Sequence, residues 1–270
     1  MNLFVLVFCT NFGIQAVFGI LALLLNTEIF FDFVGSLTFI SCSILCLMFD
    51  ETPEVSTSIK EIKVIQMVCV CLWAGKLGSF LLYRVLKSDG DKRFVEIKKS
   101  KVRFFRVWMI QGAWVYLNMV PSLFVFTAKK ENPRLALVSL AGWALYAFGL
   151  IFETVADYQK TMFRSKEENK EKFITTGLWS ISRHPNYFGE ILLWYGLFIA
   201  AVPYFTSPFN YLSILCPTLT ALLIVKISGV PMLEKSGLKK WGDDPKYIEY
   251  LNTTSSIIPC LGGNNKHKTA

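Results

Sequence analysis

LFVLVFCTNFGIQAVFGILALLL, residues 3–25, contains no charged side chain. A helix needs roughly 20 apolar residues to cross about 30 Å of hydrocarbon, so this stretch reads as a transmembrane span. It lacks the basic leader of a secretory signal, and its apolar run exceeds the usual ~7–15 residues. A second apolar run follows after only three residues, so the first is expected to be retained rather than cleaved. Working outward, further runs occupy 29–49, 64–86, 104–126, 135–155, 187–205 and 209–233, the sixth short and interrupted by Glu190. Composition agrees. The 270 residues are 53% hydrophobic and 18% charged, with a mean hydropathy of +0.43, whereas a soluble domain averages about 25% charged. These values exclude disorder and an ordinary soluble globule, and seven Cys are too few for a disulfide scaffold. The expectation is an all-α polytopic membrane helix bundle of about seven transmembrane helices.

Lys and Arg decide the orientation. The segments 87–103 and 156–186, the first loop and the tail from 234 carry 19 of them together; the N-terminus and the segments 50–63, 127–134 and 206–208 carry 5. By the positive-inside rule the N-terminus is non-cytosolic and the C-terminus cytosolic, as an odd number of spans requires. The net charge of +8 then belongs to the face that meets lipid headgroups or a soluble anionic cofactor, and does not point to nucleic acid. Six Cys lie within spans, where they act as small apolar residues. With two His and no Cys/His cluster, no metal site is expected.

Polar groups within or at the mouth of a membrane bundle are costly, so each marks a candidate site. Glu153, Asp157, Lys160 and Arg164 are spaced to share one helical face if the fifth helix runs past the membrane. Such a row is either a solvated ladder of ion pairs or a groove for a molecule carrying ribose hydroxyls and phosphates. The stretch TGLWSISRHPNYFGE, residues 176–190, is the most informative for chemistry. Ser182 is expected to cap a helix with Pro185 among its first residues, along which Asn186, Glu190 and Trp194 recur every four residues. Arg183 and His184 beside the exposed N–H groups of that helix form an anion site that suits a phosphate. No G-x-G-x-x-G, P-loop or G-x-S-x-G occurs, so a nucleotide must bind the helices themselves and a Ser/His/Asp triad has little support. Trp241, Tyr247 and Tyr250 either close a cofactor pocket or form an interfacial aromatic belt.

Several blocks in one order carry a resemblance. They are Trp73-Ala74-x-Lys76-Leu77 with Arg84 and Gly90-Asp91-x-Arg93-Phe94; Ala156-Asp157-x-Gln159-Lys160; Ser182-x-His184-Pro185-Asn186-Tyr187-x-Gly189-Glu190; and Ser228-Gly229-Val230-Pro231-x-Leu233-Glu234, followed by Trp241-Gly242 and Pro245-x-Tyr247-x-x-Tyr250. Over about residues 65–260 the chain resembles the uncharacterised branch of the steroid 5-alpha-reductase superfamily. The resemblance implies a seven-helix oxidoreductase that admits NADPH from the cytosolic side between its C-terminal helices. It implies that Asp157 and Arg164 face the nucleotide, Arg164 on phosphate. Asn186 would hold the nicotinamide or its ribose, with Glu190 and Trp194 one and two turns deeper. Glu153 stands where steroid reductases use an Asn, and Lys172 where they use an Arg. One departure matters: the Gln-Glu pair that polarises a steroid enone is absent, because Gln111 is followed by Gly112. The donor to the developing enolate must then be another group, with Gln111, Trp114, Tyr116 and Tyr187 as candidates.

The resulting expectation is a membrane reductase that passes a hydride from NADPH to a carbon–carbon double bond of a lipophilic enone, enoyl or sterol-like molecule. Gln111, Tyr187 and Glu190 are the catalytic candidates. Asp157, Lys160, Arg164, Lys172, Arg183, His184, Asn186, Trp194, Trp241, Tyr247 and Tyr250 are the cofactor-binding ones. Residues 1–63 form an N-terminal hairpin and loop, 64–260 the catalytic domain and 261–270 a basic tail. The Arg183-His184-Pro185-x-Tyr187-x-Gly189 core also resembles S-adenosylmethionine-dependent membrane methyltransferases of the isoprenylcysteine carboxyl type. A transporter or receptor on the same bundle is a third reading, which broken helices or inverted repeats would favour. The expected partners are the bilayer and a lipophilic small molecule, with no nucleic acid and no obligatory protein. The expected location is the endoplasmic reticulum membrane in a eukaryote and the inner membrane in a bacterium.

Overall fold

The computed structural model describes residues 2–50, 56–87, 90–130, 132 and 135–263; the expected tail from 264 onward, with His267, lies outside the described residues. Among the described residues every regular element is helical. Seven helical stretches are long and apolar enough to cross a membrane: Leu3–Leu25, Phe31–Met48, Thr57–Lys87, Lys101–Phe126, Ala136–Ser165, Pro185–Tyr204 and Pro208–Trp241. The helices are α1 (Leu3–Leu25), α2 (Phe31–Met48), α3 (Thr57–Lys87), α4 (Lys101–Phe126), α5 (Ala136–Ser165), α6 (Pro185–Ala201), α7 (Leu215–Leu222), α8 (Val230–Trp241) and α9 (Pro245–Thr253). Two bounds differ from the apolar runs in an instructive way. Helix α3 starts seven residues before position 64, and α5 runs ten residues past 155, because helical hydrogen bonding continues into polar sequence where hydropathy stops. The seventh span is not continuous. A 3-10 segment (Pro208–Ile214) leads into α7, a π-helical turn (Leu223–Ile227) follows, and α8 begins after Ser228 and Gly229. Pro231 sits in the first turn of α8, where its missing N–H costs nothing.

The chain folds as two units, Met1–Ser139 with Ala201–Cys216, and Leu140–Ala200 with Pro217–Ala270. In the first unit α1 packs on α4 and α2 on α3. Its polar side chains bond between helices, as they must away from water. Asn11 Nδ2 donates to Gly112 O at 2.7 Å, Gln15 Nε2 to Thr38 Oγ1 at 3.1 Å, and Gln66 Nε2 to Ser122 Oγ at 2.8 Å. Lys63, with only 1% of its side chain exposed, lies 2.8 Å from Asp50. Aromatic rings fill the remaining space, Phe31 and Phe39 meeting Trp108 and Trp73 edge to face.

In the second unit α5 and α6 approach through glycines spaced seven residues apart on each helix. A Cβ on Gly149 would lie 2.6 Å from Gly189 O, and one on Gly196 2.5 Å from Tyr146 N. Only the absence of those side chains allows contact this close. The same crossing places Gly189 against the backbone of Glu153, so the polar ends of α5 and α6 come together.

Candidate functional site

The polar extension of α5 is the floor of the site. Trp179, 3% exposed, donates its indole N–H to Ala156 O at 3.0 Å. Gln159 Oε1 accepts from Leu178 N at 2.9 Å. Gly177 meets the same Gln159 side chain with φ of +62°, a conformation that favours glycine. These bonds fix the connection between α5 and α6 onto α5 itself. Lys160 then lies over the Trp179 ring, its Nζ 4.2 Å from the centroid. The far wall is α8 and α9. Trp241 donates to Glu171 O at 2.6 Å, and Tyr250 OH donates to Trp179 O at 2.7 Å. Phe173 stacks on Tyr250 at 5.8 Å between centroids and meets Tyr247 at 4.9 Å. Burial pushes the phenols of Tyr247 and Tyr250 above their usual value, so both are neutral O–H groups at pH 7.

These walls enclose a cavity of about 270 Å³. Six cations line it (Lys160, Arg164, Lys170, Lys172, Arg183 and Lys240), with Glu234 as the one carboxylate among the lining residues. Lys240 also lies 2.9 Å from Glu171. Eight of the eleven residues expected to bind a cofactor line this one cavity: Lys160, Arg164, Lys172, Arg183, His184, Trp241, Tyr247 and Tyr250. The polar tips of Trp241 and Tyr250 are used within the protein, and both rings line the cavity.

Arg183 and His184 are buried at the cavity, with 9% and 7% of their side chains exposed. Arg183 Nη2 lies 2.8 Å from Glu234 Oε1, and its Nη1 donates to Leu251 O. Its backbone N–H donates to Ser255 O at 2.8 Å. The His184 ring stacks on Tyr187 at 5.7 Å, with Nε2 3.5 Å from Glu234 Oε1. Burial pulls the His184 pKa below its usual value and outweighs the opposing pull of Glu234, so the ring is neutral at pH 7. Arg183 Nε and both ring nitrogens of His184 are buried with no hydrogen-bond partner among the described residues.

Three cofactor candidates do not line the cavity. Asp157 and Asn186 pair with each other, Asn186 Nδ2 donating to Asp157 Oδ1 at 3.2 Å, which leaves Asn186 Oδ1 buried without a hydrogen-bond partner among the described residues. Trp194 is 2% exposed on α6. Tyr187 and Glu190 are half-buried in the first turns of α6. Gln111 belongs to the first unit, where its amide donates to Phe31 O at 3.2 Å and lies against Gly35. Ser182 does not cap α6. Its hydroxyl accepts from His184 N at 3.2 Å and donates to Ile257 O at 2.8 Å, while the helix starts at Pro185. Sequence reasoning passed over Lys170, Lys240 and Glu234 as site residues. The first two look like ordinary loop and surface charges, and Glu234 meets Arg183 from α8, beyond the break in the seventh span.

Comparison with known proteins gives a partial relative. Over 70 residues, 26% of this chain, the sequence is 37% identical to the probable O-methyltransferase ustE of Ustilaginoidea virens. The matched stretch is 23% of that curated relative, so the similarity spans about a quarter of its length. No solved structure matches. The family described as Protein of unknown function (DUF1295) matches residues 17–254, a range that contains every residue of the cavity, and the chain belongs to this family of steroid 5-alpha-reductase-like membrane proteins.

Proposed function

We propose that the protein is a membrane oxidoreductase that binds NADPH at the basic cavity and reduces a carbon–carbon double bond of a lipophilic enone, enoyl or sterol-like molecule. The observation that carries this reading is charge: six cations line about 270 Å³ with one carboxylate in the lining, while Lys170 and Lys240 also pair with Glu167 and Glu171. The phosphates of NADPH are the matching anions. S-adenosylmethionine, a sulfonium with a zwitterionic tail, brings no such negative charge. The volume is near the lower end of ligand pockets, so it suits the phosphate-bearing half of a dinucleotide.

The residues fit that group. Arg164 and Lys172 take phosphate oxygens, and the faces of Phe173 and Tyr250 offer a stacking surface for adenine. Asn186 Oδ1, a buried acceptor without a partner, suits a carboxamide N–H. Bound NADPH would supply the hydride. The proton that must follow it is assigned to Tyr187, whose ring is held against His184, with Glu190 one turn further along α6. Gln111 remains the alternative donor, with one N–H of its amide given to Phe31 O and the second N–H available. The positive-inside rule supports a cytosolic side for the cavity, which the basic segments line.

A second reading, a membrane methyltransferase using S-adenosylmethionine, is favoured by the match to ustE. The break in the seventh span is a feature that a transporter would share, but here it delivers Glu234 and Trp241 to the cavity. Equilibrium binding of NADPH, NADH and S-adenosylmethionine to the detergent-solubilised chain separates the readings, with Arg164→Ala and Asn186→Ala run alongside. Micromolar NADPH binding, weakened at least tenfold in both variants, is the expected result. Binding of S-adenosylmethionine alone would replace the reductase with a methyltransferase, and binding of neither would remove both.

A further inference from the structure

A carboxylate in a cavity built for an anion needs a reason. Glu234 lines the cavity with 25% of its side chain exposed, and a bound phosphate would meet its negative charge at close range. Three groups converge on its Oε1: Arg183 Nη2 at 2.8 Å, His184 Nε2 at 3.5 Å and the Ser256 hydroxyl at 3.4 Å. Arg183 is also tied to Leu251 O through Nη1, so both terminal nitrogens of its guanidinium are fixed by the C-terminal elements. The segment after α9 closes the arrangement. Ser255 O accepts from Arg183 N at 2.8 Å, Ile257 O accepts from Ser182 Oγ at 2.8 Å, and Cys260 N donates to Ile181 O at 3.1 Å. What remain without a hydrogen-bond partner among the described residues are Arg183 Nε and both ring nitrogens of His184, buried polar atoms at the cavity that a seated ligand or water can satisfy.

We infer that Glu234 is a positioning residue, which fixes the Arg183 guanidinium beside the His184 ring as a preorganised subsite for the phosphate of a nucleotide. The inference deepens the NADPH reading by assigning a subsite, and rests on that reading only for the identity of the phosphate's owner. A guanidinium held at both ends loses no rotamer freedom when an anion arrives, so the cost of ordering it is met in folding rather than in binding.

The sign of one substitution distinguishes positioning from simple electrostatics. If Glu234 only added negative charge, Glu234→Ala would tighten anion binding by removing repulsion. If it positions Arg183, the same change weakens binding because the guanidinium is released. The test titrates inorganic pyrophosphate, and separately NADPH, into the detergent-solubilised full chain by calorimetry. It compares the parent, Glu234→Ala, Glu234→Gln, Arg183→Ala and the Glu234→Ala/Arg183→Ala pair. We expect pyrophosphate binding to fall about tenfold in Glu234→Ala and by less than threefold in Glu234→Gln, whose carbonyl still accepts from Arg183. We expect no further loss when Glu234→Ala is added to Arg183→Ala, as two residues acting through one contact are not additive. Unfolding midpoints without ligand control for misfolding, and Glu234→Gln carries the test if Glu234→Ala does not fold, the comparison then being with Arg183→Ala. Tighter binding in Glu234→Ala, additive losses, a Glu234→Gln as weak as Arg183→Ala, or no pyrophosphate binding by the parent would overturn the inference. Pyrophosphate binding that depends on Glu234 without NADPH binding would retain the subsite and remove the cofactor assignment. NADPH binding indifferent to Glu234 would do the reverse.

Discussion

His184 sits where three demands meet: it precedes the first residue of α6, stacks on Tyr187 and faces Glu234 through Nε2. Burial, its largest influence, holds the folded-state pKa below the reference of 6.5, with Lys160 and Arg183 adding to the depression and Glu234 opposing it. The sign follows from linkage. Below about pH 6.5 the unfolded chain takes up a proton at this position while the folded chain does not, so stability present above that pH is lost as pH falls toward the folded value. His184→Gln keeps a polar side chain and removes the titration. The parent's unfolding midpoint is expected to fall more between pH 7 and 5 than the variant's; parallel curves would show that His184 titrates as it does in the unfolded chain. The sequence marked Arg183 and His184 as an anion site from their type and their place before a helix. It did not show Glu234 between them, because a contact 50 residues along the chain leaves no local pattern.

At the scale of elements, the glycine contacts between α5 and α6 hold the polar ends of both helices in register. A Cβ on Gly189 would lie 2.6 Å from both Glu153 N and Gly149 O, rigid backbone atoms that cannot turn aside. Gly189→Ala therefore forces the helices apart. It is expected to cost about 2–3 kcal/mol, toward the upper end of overpacking penalties, and to weaken NADPH binding by separating Asp157 from Asn186. Gly75 on α3 has open space around its Cβ position. Gly75→Ala should change stability by no more than about 1 kcal/mol, in the favourable direction set by helix propensity. Thermal unfolding in detergent checks both, and equal effects at the two positions would contradict the packing argument. Helix starts and stops were legible where hydropathy coincides with hydrogen bonding, as at both ends of α1. In the extension of α5 hydropathy stops near 155, and it was the spacing of Glu153, Asp157, Lys160 and Arg164 that raised a helix running further.

At the scale of the whole molecule, the prediction concerns orientation. Cys260 is exposed and follows α9 on the basic side, whereas Cys42, Cys46 and Cys69 are buried within spans. A membrane-impermeant maleimide is expected to label Cys260 in sealed vesicles whose cytosolic face points outward, and to leave it unlabelled in vesicles of the opposite sense. Cys260→Ser removes the signal and serves as its control. Labelling only in the opposite sense would invert the topology and move the basic cavity to the other side of the membrane.

The sequence by itself determined the class of the protein and the number of spans, since burying a helix in hydrocarbon requires a length and a composition readable from one strand of text. It also supplied eight of the residues that line the cavity, because cations and aromatics beside polar helix ends are costly near a bilayer and stand out for that reason. Only the tertiary structure decided which of them meet. The break after α7 folds α8 and α9 back onto the connection between α5 and α6, and it brings Glu234, Lys240 and Leu251 to Arg183 and Lys170. It likewise gave Gln111 to Phe31 and paired Asn186 with Asp157. Hydropathy and spacing describe one element at a time, and a site assembled from four elements depends on how they return to one another.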